Sequence, residues 1–212
     1  MNSCRGLVFG WWLLSALPSI VSAQELWRGD EGQCPAEVTF EAGFLTVVRG
    51  PGPAVLTALA PGFEFTATGT GEAPRLALRA AREVATQAHA QLQVPGQCAL
   101  RVTSGEGHIT LLGGTRAPLN VETTTGTIVL CIEEPTDLDL SFATSGELTV
   151  DFSVTLDYDP HQEPAKKGSI RLRSGAPLAV IPVSLTSRQG AIRTIDCQLP
   201  RRPLPPRPEA RK

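Results

Sequence analysis

The sequence predicts an all-β fold of stacked strand repeats, a β-solenoid or a closely related stacked sheet, with a β-rich N-terminal flank. Three observations carry the prediction. Five glycines, Gly107, Gly126, Gly146, Gly168 and Gly190, recur 19, 20, 22 and 22 residues apart, a period of about 20 residues. Short runs with apolar residues at every second position surround each of them. The chain of 212 residues also holds 20 Gly and 18 Pro, which calls for many turns and short elements.

The chain divides into four stretches. Met1 to Ala23 has the parts of an export signal: Arg5 as the positive start, Leu7 to Leu17 as the apolar core, then Pro18 and the small-residue site Val21-Ser22-Ala23. The core falls short of the ~20 apolar residues that a membrane span needs, so cleavage between Ala23 and Gln24 is expected rather than an uncleaved anchor. Residues 24–97 form the flank, in which Gly43 to Val48 and Phe63 to Ala67 read as strands. Residues 75–92 are Ala-rich enough for a helix, yet Leu76-Ala77-Leu78 and Ala90 to Val94 alternate, which favours strands. Residues 98–199 hold the repeats. Residues 200–212, with five prolines and five basic residues, cannot build a core and read as a disordered tail.

Each repeat reads as two short strands around a Ser/Thr/Gly turn. Leu119, Val121 and Thr123 alternate with Asn120 and Glu122, then Gly126 leads into Thr127-Ile128-Val129-Leu130. Thr and Val suit a pleated surface. The turn glycine is expected to take a positive φ. One unit cannot bury its apolar face, and stacked neighbours would cover it. Ile109, Ile128, Leu148, Ile170 and Ile192 each follow their glycine by two residues and should form one interior ladder. A sandwich built of hairpins is the rival, since turn signals about every 8–12 residues fit it too.

Composition limits function. With 21 acidic and 19 basic residues the chain lacks the basic footprint of a dedicated nucleic-acid binder, so no nucleic acid is expected as partner. With 42% apolar residues it is no charged disordered chain. Cys4 would leave with the signal, and Cys34, Cys98, Cys131 and Cys197 remain as disulfide candidates in an exported chain. Four cysteines allow three connectivities. An argument from strand ends pairs Cys98 with Cys131 and Cys34 with Cys197. Alternation speaks against it, because Cys98 shares parity with inward Leu100 while Cys131 should face out.

The pieces Val94-Pro95, Thr103-Ser104-Gly105, Thr124-Thr125-Gly126-Thr127-Ile128 and Thr144-Ser145-Gly146-Glu147-Leu148 make residues 91–195 resemble the bacterial "putative adhesin" family of strand-repeat proteins. The resemblance implies an extended strand ending in Val-Pro followed by strand repeats. Of activity it implies little. The first repeat departs by carrying Glu106 and Gly107 after its Ser-Gly, and the fourth lacks the Thr-Ser lead-in and follows the polar stretch Asp157 to Lys167.

No catalytic or metal-binding motif stands out, and no cofactor is implied. Gly69-Thr70-Gly71 is a turn rather than a phosphate loop, and Thr103-Ser104-Gly105 lacks the flanking glycines of a nucleophile elbow. His89, His108 and His161 lie far apart in sequence, with His108 on an outer face. The strongest enzyme reading uses Asp137 and Asp139 around Leu138, or Asp157 and Asp159 around Tyr158, as outward acid pairs of a carbohydrate-active solenoid. The favoured expectation is an exported, non-enzymatic binding, adhesin-like or structural module of the periplasm, cell surface or exterior. It would meet a protein, a surface polysaccharide, or another copy of itself through a solenoid end. Membrane contact would be limited to the signal segment or a weak touch of the basic tail.

Overall fold

The computed structural model describes residues 23–60, 62–69, 73–81, 87–114, 116–132, 137–151, 155–172 and 180–197. The export signal before Ala23 and the Pro/Arg-rich tail lie outside the described residues.

Every element among the described residues is a strand: β1 (Gln24–Arg28), β2 (Glu37–Phe40), β3 (Phe44–Gly50), β4 (Val55–Ala58), β5 (Phe63–Thr68), β6 (Arg75–Ala80), β7 (His89–Pro95), β8 (Leu100–Ser104), β9 (His108–Leu112), β10 (Leu119–Thr123), β11 (Ile128–Ile132), β12 (Leu138–Thr144), β13 (Leu148–Val150), β14 (Thr155–Tyr158), β15 (Lys166–Leu172), β16 (Ile181–Ser187) and β17 (Ile192–Asp196). The ambiguous stretch at 75–92 supplies β6 and the start of β7, as alternation foretold.

The strands form two mixed sheets. Sheet A runs β1-β4-β7-β3-β9-β11-β17-β13, and sheet B runs β14-β15-β12-β16-β10-β8-β2-β6-β5. The two strands of a unit enter different sheets: β8, β10, β12 and β16 lie in B, and β9, β11, β13 and β17 in A. A unit therefore pairs with its neighbours and not with itself, so these units are not hairpins. The pairings between units are parallel, as in Leu119 opposite Leu100 on one side and Val183 on the other. Two flank strands join the same way, β2 beside β8 and β3 beside β9. Antiparallel strands close the ends: β1, β4 and β5 at one, β14 and β15 at the other.

Stacking does not follow chain order. β16 lies between β10 and β12, and β17 between β11 and β13. The interior ladder therefore runs Leu45, Ile109, Ile128, Ile192, Leu148. Ile170 is not in it. β15 pairs antiparallel with β12 in the other sheet, Ile170 opposite Leu140, and Gly168 sits inside a strand opposite Phe142 rather than in a turn. The glycine spacing that placed Ile170 in the ladder coincides with a different local structure. The core between the sheets is aliphatic, with Val38, Val102, Val121, Leu185 and Phe142 facing the ladder strands from sheet B.

The turn glycines are needed for a reason other than the one expected. Positive φ occurs at Gly32, Gly43, Gly52, Gly62, Gly69 and Gly113, and at none of Gly107, Gly126, Gly146 and Gly190. A Cβ on Gly126 would instead run into Gly107 O, one on Gly190 into Gly126 O, and one on Gly146 into Gly190 O. The turns stack backbone on backbone in the same order as the strands. Inward hydroxyls hold them: Gly107 N–H donates to Ser104 Oγ at 2.8 Å, and Gly126 N–H to Thr123 Oγ1 at 3.1 Å. Thr144 Oγ1 donates to Gly190 O at 2.6 Å and Ser187 Oγ to Gly126 O at 3.0 Å. That bonding gives the Ser/Thr-before-Gly pattern its physical cause.

Among the described residues two disulfides are present, Cys34–Cys98 and Cys131–Cys197, with Cα separations of 5.5 and 5.7 Å. The strand-end pairing of Cys98 with Cys131 is thereby corrected. Cys98 leads into β8 in sheet B while Cys131 lies on β11 in sheet A, and each bonds across to an adjacent parallel strand of its own sheet, β2 or β17. The objection from alternation was the sounder guide. Cys98 is buried beside inward Leu100, and Cys131 stands on the opposite side of its strand from inward Leu130.

Candidate functional site

Two surface features and one buried feature stand out in this stack. The first lies on the outer face of sheet B. Because the strands pair in register, Arg101, Asn120, Ser184, Ser141 and Ser169 form one row across five strands, at the ~4.8 Å strand spacing. With Asp139, and with Pro118 and Pro182 beside them, they line a groove of about 750 Å³. Charges on this face are paired across strands: Arg101 with Glu122 at 3.2 Å, Arg171 with Asp139 at 3.5 Å, Arg79 with Glu41 at 2.9 Å. Such exposed pairs contribute at most about 1 kcal/mol each, so they keep the face polar more than they stabilise it.

The second feature is on the outer face of sheet A. His89 and His108 flank Phe44 on neighbouring strands, with ring centroids 6.2 and 5.0 Å from that of Phe44, and the His108 pair is stacked. Two histidines that are remote in sequence thus flank one exposed aromatic ring, one strand away on either side. Thr127 N–H donates to His108 Nδ1 at 3.2 Å, and His89 Nε2 contacts Thr46 Oγ1 at 3.1 Å. His108 is exposed, as its alternation required.

The third feature was not foreseen. Arg49 follows Leu45 and Val47 at the inward parity of β3 and is only 7% exposed. Its Nη1 donates to Gly96 O at 3.0 Å. Its Nε and Nη2 are buried and have no hydrogen-bond partner. Each such unpaired donor costs about 1–3 kcal/mol. Burial pushes the guanidinium down to a pKa of about 10, which still leaves it charged at neutral pH. The sequence signal was available: a charged residue at the third inward position of an apolar strand, just before Gly50-Pro51.

The acid pairs do not converge. Asp137, expected outside, is buried where the chain bends into β12, and its backbone oxygen accepts from Ile181 N–H at 2.9 Å. Alternation fails there because the residue precedes the strand. Asp139 faces out and pairs with Arg171. Asp157 stands opposite Lys167 on the end strands, and Asp159 Oδ1 accepts from His161 N–H at 2.9 Å within its own turn. Among the described residues, no three His, Cys, Asp or Glu side chains are grouped to hold a metal ion.

No protein-family model and no curated protein matches this chain. Among solved structures, a "putative cell adhesion protein" from Clostridium sporogenes aligns over 82% of this chain and 98% of its own, at 8% identity and a TM-score of 0.48. A "putative adhesin" from Bacteroides fragilis aligns over 82% and 96%, at 8% identity and a TM-score of 0.28.

Gln24, placed after the expected cleavage site, opens β1 and pairs with Ala58. The four disulfide candidates are all bonded.

Proposed function

We propose that this chain is an exported, non-enzymatic binding module whose ligand is an extended surface polysaccharide lying across the sheet B groove. The parallel two-strand units act as coils of a short β-solenoid with a period of about 20 residues. The observation that carries the reading is the in-register row of Arg101, Asn120, Ser184, Ser141 and Ser169. Hydroxyl, amide and guanidinium groups repeated at strand spacing offer both donors and acceptors to a polymer that repeats its own hydroxyls. The apolar floor beside them, Pro118 and Pro182, suits the carbon faces of sugar rings. Paired rather than convergent acids favour binding over hydrolysis. Two disulfides, each closing a loop of more than sixty residues, fit an oxidising compartment outside the cytoplasm.

Ser184→Trp tests this reading, because a large side chain in the middle of the row would fill the groove. The variant is expected to keep the melting temperature and lose at least about tenfold in affinity for polysaccharide from the producing cell's envelope. Unchanged binding by the variant would reject the groove as the site.

A further inference from the structure

The sheet B groove does not end at Arg101. Arg101 and Thr103 are successive outward residues of β8, about 7 Å apart along the strand. Arg101 lines the groove already described, and Thr103 lines a second one of about 530 Å³ on the same face. The second groove crosses β8, β2, β6 and β5, where Thr103, Thr39, Ala77 and Thr66 stand in one register row. Laid end to end, the two rows cross eight neighbouring strands, from β15 to β5, and shift by one outward position at β8. At ~4.8 Å per strand they make a track of about 34 Å.

Small side chains form this track. Ser169, Ser141 and Ser184 occupy one half, and Thr103, Thr39 and Thr66 the other, with Ala77, Pro118 and Pro182 as apolar patches between them. Thr103 Oγ1 donates to Thr39 Oγ1, and Ser141 Oγ donates to Val183 O, both at 3.4 Å. A hydroxyl that donates its proton in this way still has lone pairs with which to accept from a ligand.

The charges along the track select the ligand. Each arginine bordering it is matched by a carboxylate from the next strand or its end: Arg171 by Asp139 at 3.5 Å, Arg101 by Glu122 at 3.2 Å, Arg75 by Glu37 at 3.6 Å and Arg79 by Glu41 at 2.9 Å. Lys167 stands opposite Asp157, and Glu64 stands opposite Arg79 on its other side. A polyanion would find the arginines already matched and would be repelled by Glu41 and Glu64. A polycation would have to displace the arginines from their carboxylates. An uncharged polyol asks only for donors, acceptors and small apolar patches, which this face repeats from strand to strand.

We propose, building on the groove reading above, that the ligand is an uncharged polysaccharide and that one chain of it continues from the first groove into the second, crossing all eight strands. A sugar ring with its linkage is about as long as one strand spacing, ~4.8 Å, so the track takes about seven units of an extended chain. Thr39, Thr66 and Thr103 serve the same ligand as Ser184, and two joined grooves raise affinity beyond that of either alone.

The test uses the full disulfide-bonded chain and polysaccharide from the producing cell's envelope, divided by anion exchange into an uncharged and an acidic fraction and cut to fragments of graded length. The expected result is preferential binding of the uncharged fraction, with an affinity that changes less than about twofold between about 0.05 and 0.5 M sodium chloride. Affinity should rise with fragment length up to about seven units. Thr39→Trp fills the second groove and is expected to keep the melting temperature and weaken binding of the longest fragments at least about fivefold. Should that variant fail to fold, Thr66→Trp on the end strand β5 is expected to have the same effect. Equal or tighter binding of the acidic fraction, a plateau at about four units, the length of the first groove alone, or full affinity in the folded second-groove variant overturns this inference. The groove reading survives those outcomes as long as Ser184→Trp still weakens binding. Binding that is indifferent to Ser184→Trp, or no binding of either fraction, removes both.

Discussion

The middle of the stack and its far end are built from similar sequence and end up differently buried. Ile128 in β11 is fully buried, with Ile109 on one side and Ile192 on the other. Leu148 in β13 follows its own turn glycine at the same distance, yet it is only half-buried, because β13 pairs with β17 and is the last strand of sheet A. At the same end, Leu156 and Tyr158 on β14, the last strand of sheet B, are exposed. Burial here is decided by the number of stacked neighbours and not by residue type. A unit in the middle has both its faces along the stack covered, and a terminal one has a single covered face.

The largest expected effect tests that contrast directly. Ile128→Asp places an unpaired charge between two apolar neighbours and should cost about 4–5 kcal/mol. Leu148→Asp can turn its carboxylate to water and should cost much less, about 1–2 kcal/mol. Urea midpoints of the two variants measure the difference, and equal losses would break the comparison.

Next come the disulfides. Cys131–Cys197 fastens the inserted β17 to β11 in the middle of sheet A, and Cys34–Cys98 fastens the flank to the first repeat. With sequence separations of 66 and 64 residues, the chain-entropy account allows each bridge up to about 4 kcal/mol. The two Cys→Ser double variants should therefore lose similar stability. Peptide mapping without reduction should give linked 34–98 and 131–197 peptides, and a 98–131 link would contradict this stack order.

Gly126→Ala forces the stacked turns apart and should cost about 2–3 kcal/mol, in line with overpacking a dense site. Gly50→Ala, where a Cβ would meet nothing within 4 Å, should change the melting temperature little. The smallest pair concerns buried hydroxyls. Thr123 Oγ1 accepts from Gly126 N–H and donates to Gly105 O at 3.2 Å, so Thr123→Val should cost about 1–3 kcal/mol. Thr194 Oγ1 is buried without a partner, so Thr194→Val should be neutral or stabilising. Thermal melts of these two variants that move in the same direction would show that the turn bonds are not what the threonines supply.

Much of this arrangement was legible from alternation and spacing. Leu119, Val121 and Thr123 face inward as period two requires, and β3, β5, β6 and β7 lie where the flank alternates. The opposite facing of Cys98 and Cys131 was legible for the same reason. Ile170 was misplaced because a Gly-Ser-Ile-Arg-Leu run looks alike in a repeat and in an antiparallel end strand. The sheet B row was only half visible: its residues were readable as outward, but their alignment depends on which strands are neighbours. Arg49 was visible as an anomaly of parity, although its unpaired edge was not.

The sequence by itself determined the strand class, the in-and-out facing along each strand and the positions of the turns, because these depend on residues within one or two units of one another. The tertiary structure alone decided that the last unit slides between the second and third, that the cysteines pair across those contacts, and that one guanidinium edge is left without a partner. Those are choices among surfaces that are all apolar, flat and of similar spacing, so local sequence carries little energy to discriminate them. They are settled by the global packing and by the disulfides that stack order brings within reach.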